Sequence, residues 1–319
     1  MTEPCRTRRT VHETEVAAPA GVVYGLIADA ARWPLCFPAD VYVERLRFDG
    51  VSERLRRWTT DGGAVTAVTL GRVLDASRRR VEFRQESPAA PLTATSGSWT
   101  VDALGTDRAR LTLRQEFTAG GALTGDTGRA AEAVGRAESA HLTRLAESWD
   151  RLDELVLSFQ DSVRVEAPPQ RVYDFLEQAG RWPDRLPHVA RLDLAEAGEG
   201  VQVMTTQTLT PDGAAYTTES VRVCFPGRYR IAHKQIRTPA ALTSAHTGVW
   251  TVTGDASGST VTSRHGVVLR PGAVTGVLGP DATPATARRH LREALGREST
   301  ATMEYAKRYA EAAQKSSAR

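Results

Sequence analysis

Three cysteines in 319 residues, Cys5, Cys36 and Cys224, stand far apart with no Cys-x-x-Cys spacing. That excludes a disulfide framework and a zinc site on paired thiols, and leaves buried thiols as the expectation. Lysine is as scarce, at Lys234, Lys307 and Lys315 only, so arginine carries the positive charge; a net charge of +3 is too small to indicate nucleic acid. No apolar run approaches the ~20 residues a membrane helix needs. Arg6, Arg8 and Arg9 have no apolar stretch behind them, so no secretory signal is read and a cytoplasmic location is expected. The chain also lacks a Gly-x-Gly-x-x-Gly after a strand, a phosphate loop, a His-Glu-x-x-His and a nucleophile elbow.

What is present is a repeat. Val16 to Pro34 and Val165 to Pro183 share Ala-Pro, Val-Tyr and Arg-Trp-Pro in register, Trp33 recurring as Trp182. A match of this length at a fixed offset means duplication. In each copy a β-branched strand ends, Pro19 or Pro168 opens a helix, and Val23, Leu26 and Ile27, or Val172, Phe175 and Leu176, line one helical face. Trp33-Pro34 and Trp182-Pro183 are read as the stop of that helix.

Behind each helix come only strands. In the first copy Val41–Phe48, Ser52–Thr60, Ala64–Leu74, Arg80–Glu86, Thr93–Val101 and Ala109–Thr118 are β-rich runs separated by hairpin signals such as Asp49-Gly50. A loop over Gly120–Gly128 and one long amphipathic helix from Arg129 to about Leu157 complete it, Val134, Leu145, Trp149 and Leu152 marking its apolar stripe. The second copy repeats the order and ends on a helix from about Thr283 to Ala313. The expected architecture is α+β, with two tandem helix-grip domains at residues 1–157 and 158–319, each a curved antiparallel sheet wrapped around its C-terminal helix. An apolar cavity between sheet and helix is the expected ligand site.

Alternation along the strands assigns polar residues to the cavity face. Arg72 shares a face with Val68, Leu70 and Leu74, either snorkelling to the cavity mouth or held in the pocket as a cation. Gln85 follows Val81 and Phe83; Gln115 lies among Leu111, Leu113 and Phe117; Trp99 lies with Val101. The second copy places Arg222 and Gln235 opposite Arg72 and Gln85, but adds histidines: His233 beside Ile231, His246 with Trp250, and His265 opposite Gln115. His141 and Thr302 fall on the apolar stripes of the long helices, and His188 joins the substrate-contacting candidates. Arg54, Arg56, Arg57 and Arg78 to Arg80 are read as solvated strand faces and turns.

The Ala-Pro helix ending in Arg-Trp-Pro, the Trp99-Thr100-Val101 strand, Gln115-Glu116-Phe117 and their second-copy counterparts resemble the bacterial polyketide aromatase/cyclases of the START-like, Bet v 1-like superfamily, in their two-domain class. The resemblance implies a role after a type II polyketide synthase: binding a poly-β-ketone carried by the phosphopantetheine of an acyl carrier protein, and closing and aromatising its first ring. It implies ketone polarisation by Arg72 and Arg222, and a polar helix residue at His141 and Thr302. The tyrosine that follows the Trp-Pro turn in single-domain relatives is replaced by Asp40 and Val189. No metal, nucleotide or flavin is required, since the methylene protons of a β-diketone are already acidic and a base such as histidine suffices. His233, His265 and His141 join the arginines as catalytic candidates. Gln85, Trp99, Gln115, His188, Gln235, His246, Trp250 and Thr302 are substrate-binding candidates. A START-like carrier that binds a hydrophobic molecule without chemistry is the rival reading, and a second copy that only braces the first is a third.

Overall fold

Period-two alternation and hairpin turns build the same sheet twice. The computed structural model describes residues 6–61, 63–86, 92–119, 125–210, 213–237 and 241–317. Cys5 and residues 120–124 of the predicted loop lie outside them. The chain divides into two units, Met1–Leu152 and Asp153–Arg319.

The first unit opens with β1 (Arg6–Val16), α1 (Ala20–Ala28) and the short α2 (Trp33–Cys36). Six strands follow: β2 (Asp40–Phe48), β3 (Ser52–Asp61), β4 (Ala64–Asp75), β5 (Arg80–Gln85), β6 (Leu92–Ala103) and β7 (Ala109–Ala119). The long α3 (Gly125–Ala146) and one turn of helix, α4 (Leu152–Leu155), lead to the second unit. There β8 (Val156–Val165), α5 (Pro169–Glu177) and α6 (Trp182–Arg185) precede β9 (Val189–Glu196), β10 (Val201–Leu209), β11 (Ala215–Phe225), β12 (Arg230–Arg237), β13 (Thr243–Asp255) and β14 (Gly258–Leu269). A short α7 (Val274–Leu278) and the long α8 (Pro284–Ser317) close the chain.

Both sheets have seven strands, in the order β1-β7-β6-β5-β4-β3-β2 and β8-β14-β13-β12-β11-β10-β9. Six strands thus form an antiparallel meander, and the first strand of each unit pairs with the last. The long helix packs against the edge this creates: α3 on β1 and β7, α8 on β8 and β14. This is the expected helix-grip arrangement. Even the backbone repeats, because Arg79 and Tyr229, which carry a left-handed φ of 46° each, precede β5 and β12 at matching points.

The predicted helix faces are core: Val23, Leu26 and Ile27 in one unit, Val172, Phe175 and Leu176 in the other, are all buried. Cys36 and Cys224 are buried thiols. No helix among the described residues is long and apolar enough to cross a membrane.

Three expectations need correction. Helix α1 ends at Ala28, and Trp33-Pro34 starts α2 instead of stopping α1; a proline in the first turn of a helix removes only an N–H that would have no helical partner. Helix α3 ends at Ala146, well before Leu157, although Trp149 and Leu152 continue its period. Trp149 is exposed and continues no stripe, while Val134 is exposed where it lines the first cavity.

Candidate active site

The duplicated Arg-Trp-Pro motif and the paired arginines turn out to be one device. The last carbonyls of a helix have no helical partners and carry the negative end of its dipole. At the end of α1, Trp33 Nε1 donates to Ile27 O at 3.2 Å and Arg72 Nη2 donates to the same oxygen at 2.6 Å. In the second unit Trp182 Nε1 donates to Phe175 O at 3.2 Å and Arg222 Nη2 to Leu176 O at 2.5 Å. Each guanidinium also lies over its tryptophan ring, 4.6 Å from the centroid of Trp33 and 5.1 Å from that of Trp182. Arginine and tryptophan therefore fasten the first helix of each unit to the middle of its sheet.

This corrects the reading of Arg72 as a pocket-mouth cation. It is 2% exposed, and its Nη1 sits 2.6 Å from Glu53 Oε1. Burial lowers its pKa to about 10 against the opposing pull of Glu53, so it remains charged at neutral pH. Arg222 is equally buried but pairs with an amide, Gln202 Oε1, at 2.9 Å. Both are wall anchors with no free donor edge comparable to a solvent-facing arginine.

Between sheet and helix each unit holds a small cavity, about 220 Å³ in the first and about 130 Å³ in the second. The first brings together Gln85, Trp99 and Gln115 as predicted, with Trp33, Phe37 and Phe83. The second brings together His188, His233, Gln235, His246, Trp250, His265 and Thr302, with Arg222 at its wall. His141 lines neither cavity; its Nδ1 lies 2.7 Å from Arg144 Nη2 on the same helix. Thr302 faces the cavity but turns its hydroxyl back to Glu298 O at 3.0 Å.

The histidines form a chain. Ser263 Oγ lies 3.1 Å from His265 Nε2, and His265 Nδ1 lies 3.1 Å from His246 Nε2. His233 meets His246 edge-on at 6.1 Å between centroids. Burial, with His265 adding to it, pushes His246 down to about 3; burial pushes His265 down to about 4 and holds His233 well below 6.5. Desolvation lowers His188 too. The cluster is thus neutral at physiological pH. Neutral rings can still donate N–H bonds to a carbonyl or enolate oxygen.

Among the polar cavity residues that escaped the sequence reading, four are ionisable. Arg57, assigned there to a solvated face, lines the first cavity and holds Asp40 Oδ1 and Glu138 Oε1, each at 2.7 Å from its Nη2. Although burial opposes its charge, the two carboxylates raise its pKa above the ordinary value. In the second unit Tyr216 and Glu298 line the cavity, the phenol donating to Glu298 Oε1 at 2.8 Å. The available signal was a second repeat: Val134-Gly135-Arg136-Ala137-Glu138-Ser139 recurs as Leu295-Gly296-Arg297-Glu298-Ser299, one residue shorter.

Residues 16–139 and 156–311 each match a family model described as "Polyketide cyclase / dehydrase and lipid transport". The chain belongs to that family. It is 41% identical over 311 residues to the granaticin polyketide synthase bifunctional cyclase/dehydratase of Streptomyces violaceoruber, a match covering 96% of this chain and 94% of the relative. The actinorhodin polyketide synthase bifunctional cyclase/dehydratase of Streptomyces coelicolor is 41% identical, with 93% and 95% covered. Among solved structures, the di-domain ARO/CYC BexL superposes with a TM-score of 0.87 at 39% identity, over 95% of this chain and 99% of that one. The two-unit fold and the cyclase/dehydratase activity are therefore those of the family, and the carrier reading without chemistry is set aside.

Proposed function

We propose that the protein takes a poly-β-ketone carried by an acyl carrier protein, closes its first ring by an intramolecular aldol reaction at a defined position, and dehydrates it to an aromatic ring. The observation that supports this is a pair of buried polar atoms with no protein partner beside ring-sized cavities. Thr95 Oγ1 in the first unit and Thr206 Oγ1 in the second are such atoms, on residues that line the cavities. A buried polar group needs a partner, and a ligand's carbonyl and enol groups can supply it. A cavity of ~150 Å³ holds a benzene ring; the first space, about 220 Å³, exceeds that and the second, about 130 Å³, is slightly below it, so the rest of the chain stays outside.

Imposing one fold on a flexible chain is the larger task, and a shaped cavity does this by orientation. In the second unit neutral His233 and His246 donate hydrogen bonds to the oxygen that gains charge as the enolate forms, which favours the transition state over the ground state. The first unit, lined by Gln85, Trp99 and Gln115, orients the chain; the second carries proton movement. Incubation with a minimal polyketide synthase, followed by product mass analysis, tests the reading. The expected result is a shift from spontaneously cyclised products to a single dehydrated aromatic one. An unchanged product profile defeats it.

A further inference from the structure

We infer that Glu298 is the proton-transfer residue of the second cavity and that Tyr216 is its positioning residue. The inference rests on the cyclase/dehydratase reading above and adds a residue to it.

The repeat puts a glutamate over each cavity, but the two are held differently. Glu138 in the first unit accepts from Arg57, whose guanidinium also binds Asp40. The positions matching Arg57 and Asp40 in the second unit are Thr206 and Val189, so neither the cation nor its second carboxylate is there. Glu298 has instead a neutral donor, the Tyr216 hydroxyl at 2.8 Å on Oε1. That bond fixes the carboxyl and leaves Oε2 for a ligand. The residue is exposed and lines the cavity, so a substrate can reach the carboxyl.

Its electrostatic surroundings agree. Desolvation raises the Glu298 pKa, while the Tyr216 hydrogen bond and Arg297 on the same helix pull it down. From the sheet it faces His188, His233, His246 and His265, all kept neutral by burial, and the Arg222 wall. A carboxylate with a raised pKa and no ion-pair partner is a better base than an ordinary solvated one.

The chemistry balances with this single group. The carboxylate removes a proton from the methylene between two carbonyls, and the resulting enolate carbon attacks a ketone carbon. A carbon–carbon bond forms and the ketone π pair becomes an alkoxide, which recovers the proton from the Glu298 carboxylic acid. Glu298 then takes a second proton from the same methylene carbon. The double bond forms as hydroxide departs, and that proton leaves with it as water. Neither oxidant nor metal enters.

The test uses the full-length chain with the minimal synthase, a pH–rate profile, and binding of a hydroxynaphthalene followed by tryptophan fluorescence, since Trp182 and Trp250 line the cavity. Glu298→Gln should lower kcat by ~10²–10⁴-fold, the range for a lost general base, abolish the acidic limb of kcat/KM and leave hydroxynaphthalene binding intact. Tyr216→Phe should give a smaller loss and move the acidic limb to higher pH, because the hydrogen bond that lowers the Glu298 pKa is gone. Should Glu298→Gln not fold, the Tyr216→Phe limb decides. An unchanged kcat in Glu298→Gln, or an acidic limb unmoved in Tyr216→Phe, overturns the assignment. Wild-type protein that leaves the product profile unaltered overturns the function reading instead, so the two failures are distinguishable.

Discussion

The two cavities compare position by position, because the two sheets share one strand order and matching pairings. Where the first unit has Phe83, the second has His233; Thr95 answers to His246 and Gln115 to His265. Every imidazole of the second cavity thus replaces a side chain that cannot titrate. The exchange runs the other way for charge, since Asp40, Arg57 and Glu53 of the first unit become Val189, Thr206 and Gln202. What did not change is the scaffold: the arginine and tryptophan that cap the first helix recur in both units, with nearly the same bonds. Duplication therefore preserved the parts that hold helix to sheet and released the lining, one cavity keeping paired charges and the other gaining neutral hydrogen-bonding rings.

The anchors themselves differ in one respect, and this gives the largest expected effect. Arg72→Ala takes the buried cation from Glu53 Oε1 and leaves that carboxylate only the half-exposed Arg45 on Oε2, a change that costs ~3 kcal/mol, the low end for a broken buried pair. Arg222→Ala leaves only an amide and a carbonyl unsatisfied, at ~1–3 kcal/mol. Urea unfolding should show the first variant destabilised more than the second, each in the transition of its own unit. If Arg72→Ala unfolds like wild type and alters products instead, the anchor account fails and the arginine belongs to the chemistry.

Alternation along strands made most of this legible. It gave the six-strand meanders, the inward Gln85, Gln115, His233, His246 and His265, and the match of Arg72 to Arg222, because a sheet with one face on a core repeats every second residue. It could not give depth. Arg72 was placed on the right face, but its partner Glu53 is on the neighbouring strand, and only the register of β3 against β4 brings them opposite. The end of α3 was hidden for a similar reason: Trp149 and Leu152 keep helical spacing while the backbone turns away. Glu298 was invisible as a single residue among Arg292, Glu293 and Arg297, where a charged helix face is the ordinary reading.

The neutral histidines supply the next contrast. His246 and His265 have folded values of about 3 and about 4 against an ordinary 6.5, so the unfolded chain binds protons that the folded one refuses. Their stabilising contribution is whole above pH 6.5 and is lost as the pH falls toward 4. One pKa unit is worth about 1.4 kcal/mol, so each should remove on the order of 2 kcal/mol from the second unit by pH 5. Substituting the first-unit residues, His233→Phe, His246→Thr and His265→Gln together, should flatten the dependence of the second unit's urea midpoint on pH between 6.5 and 4. A slope that survives those substitutions would place the titration elsewhere.

The smallest effect separates two glycines that seat the exchanged rings. Gly97 pairs across the sheet with Phe83 and Gly248 with His233, and a Cβ on either glycine would strike the ring. At Gly97 the Cβ would also strike the backbone oxygen of Arg114, which cannot move without disturbing the β6–β7 ladder. At Gly248 the three nearest atoms all belong to the imidazole. Gly248→Ala should therefore destabilise by about 1–2 kcal/mol, at the lower end of overpacking costs, and His233→Ala in the same chain should restore most of it. Phe83→Ala should not rescue Gly97→Ala. A double-mutant cycle on each pair reads this directly; equal coupling in both would mean that the His233 ring is held as rigidly as the sheet, and that the second cavity has no more freedom to reshape around a ligand than the first.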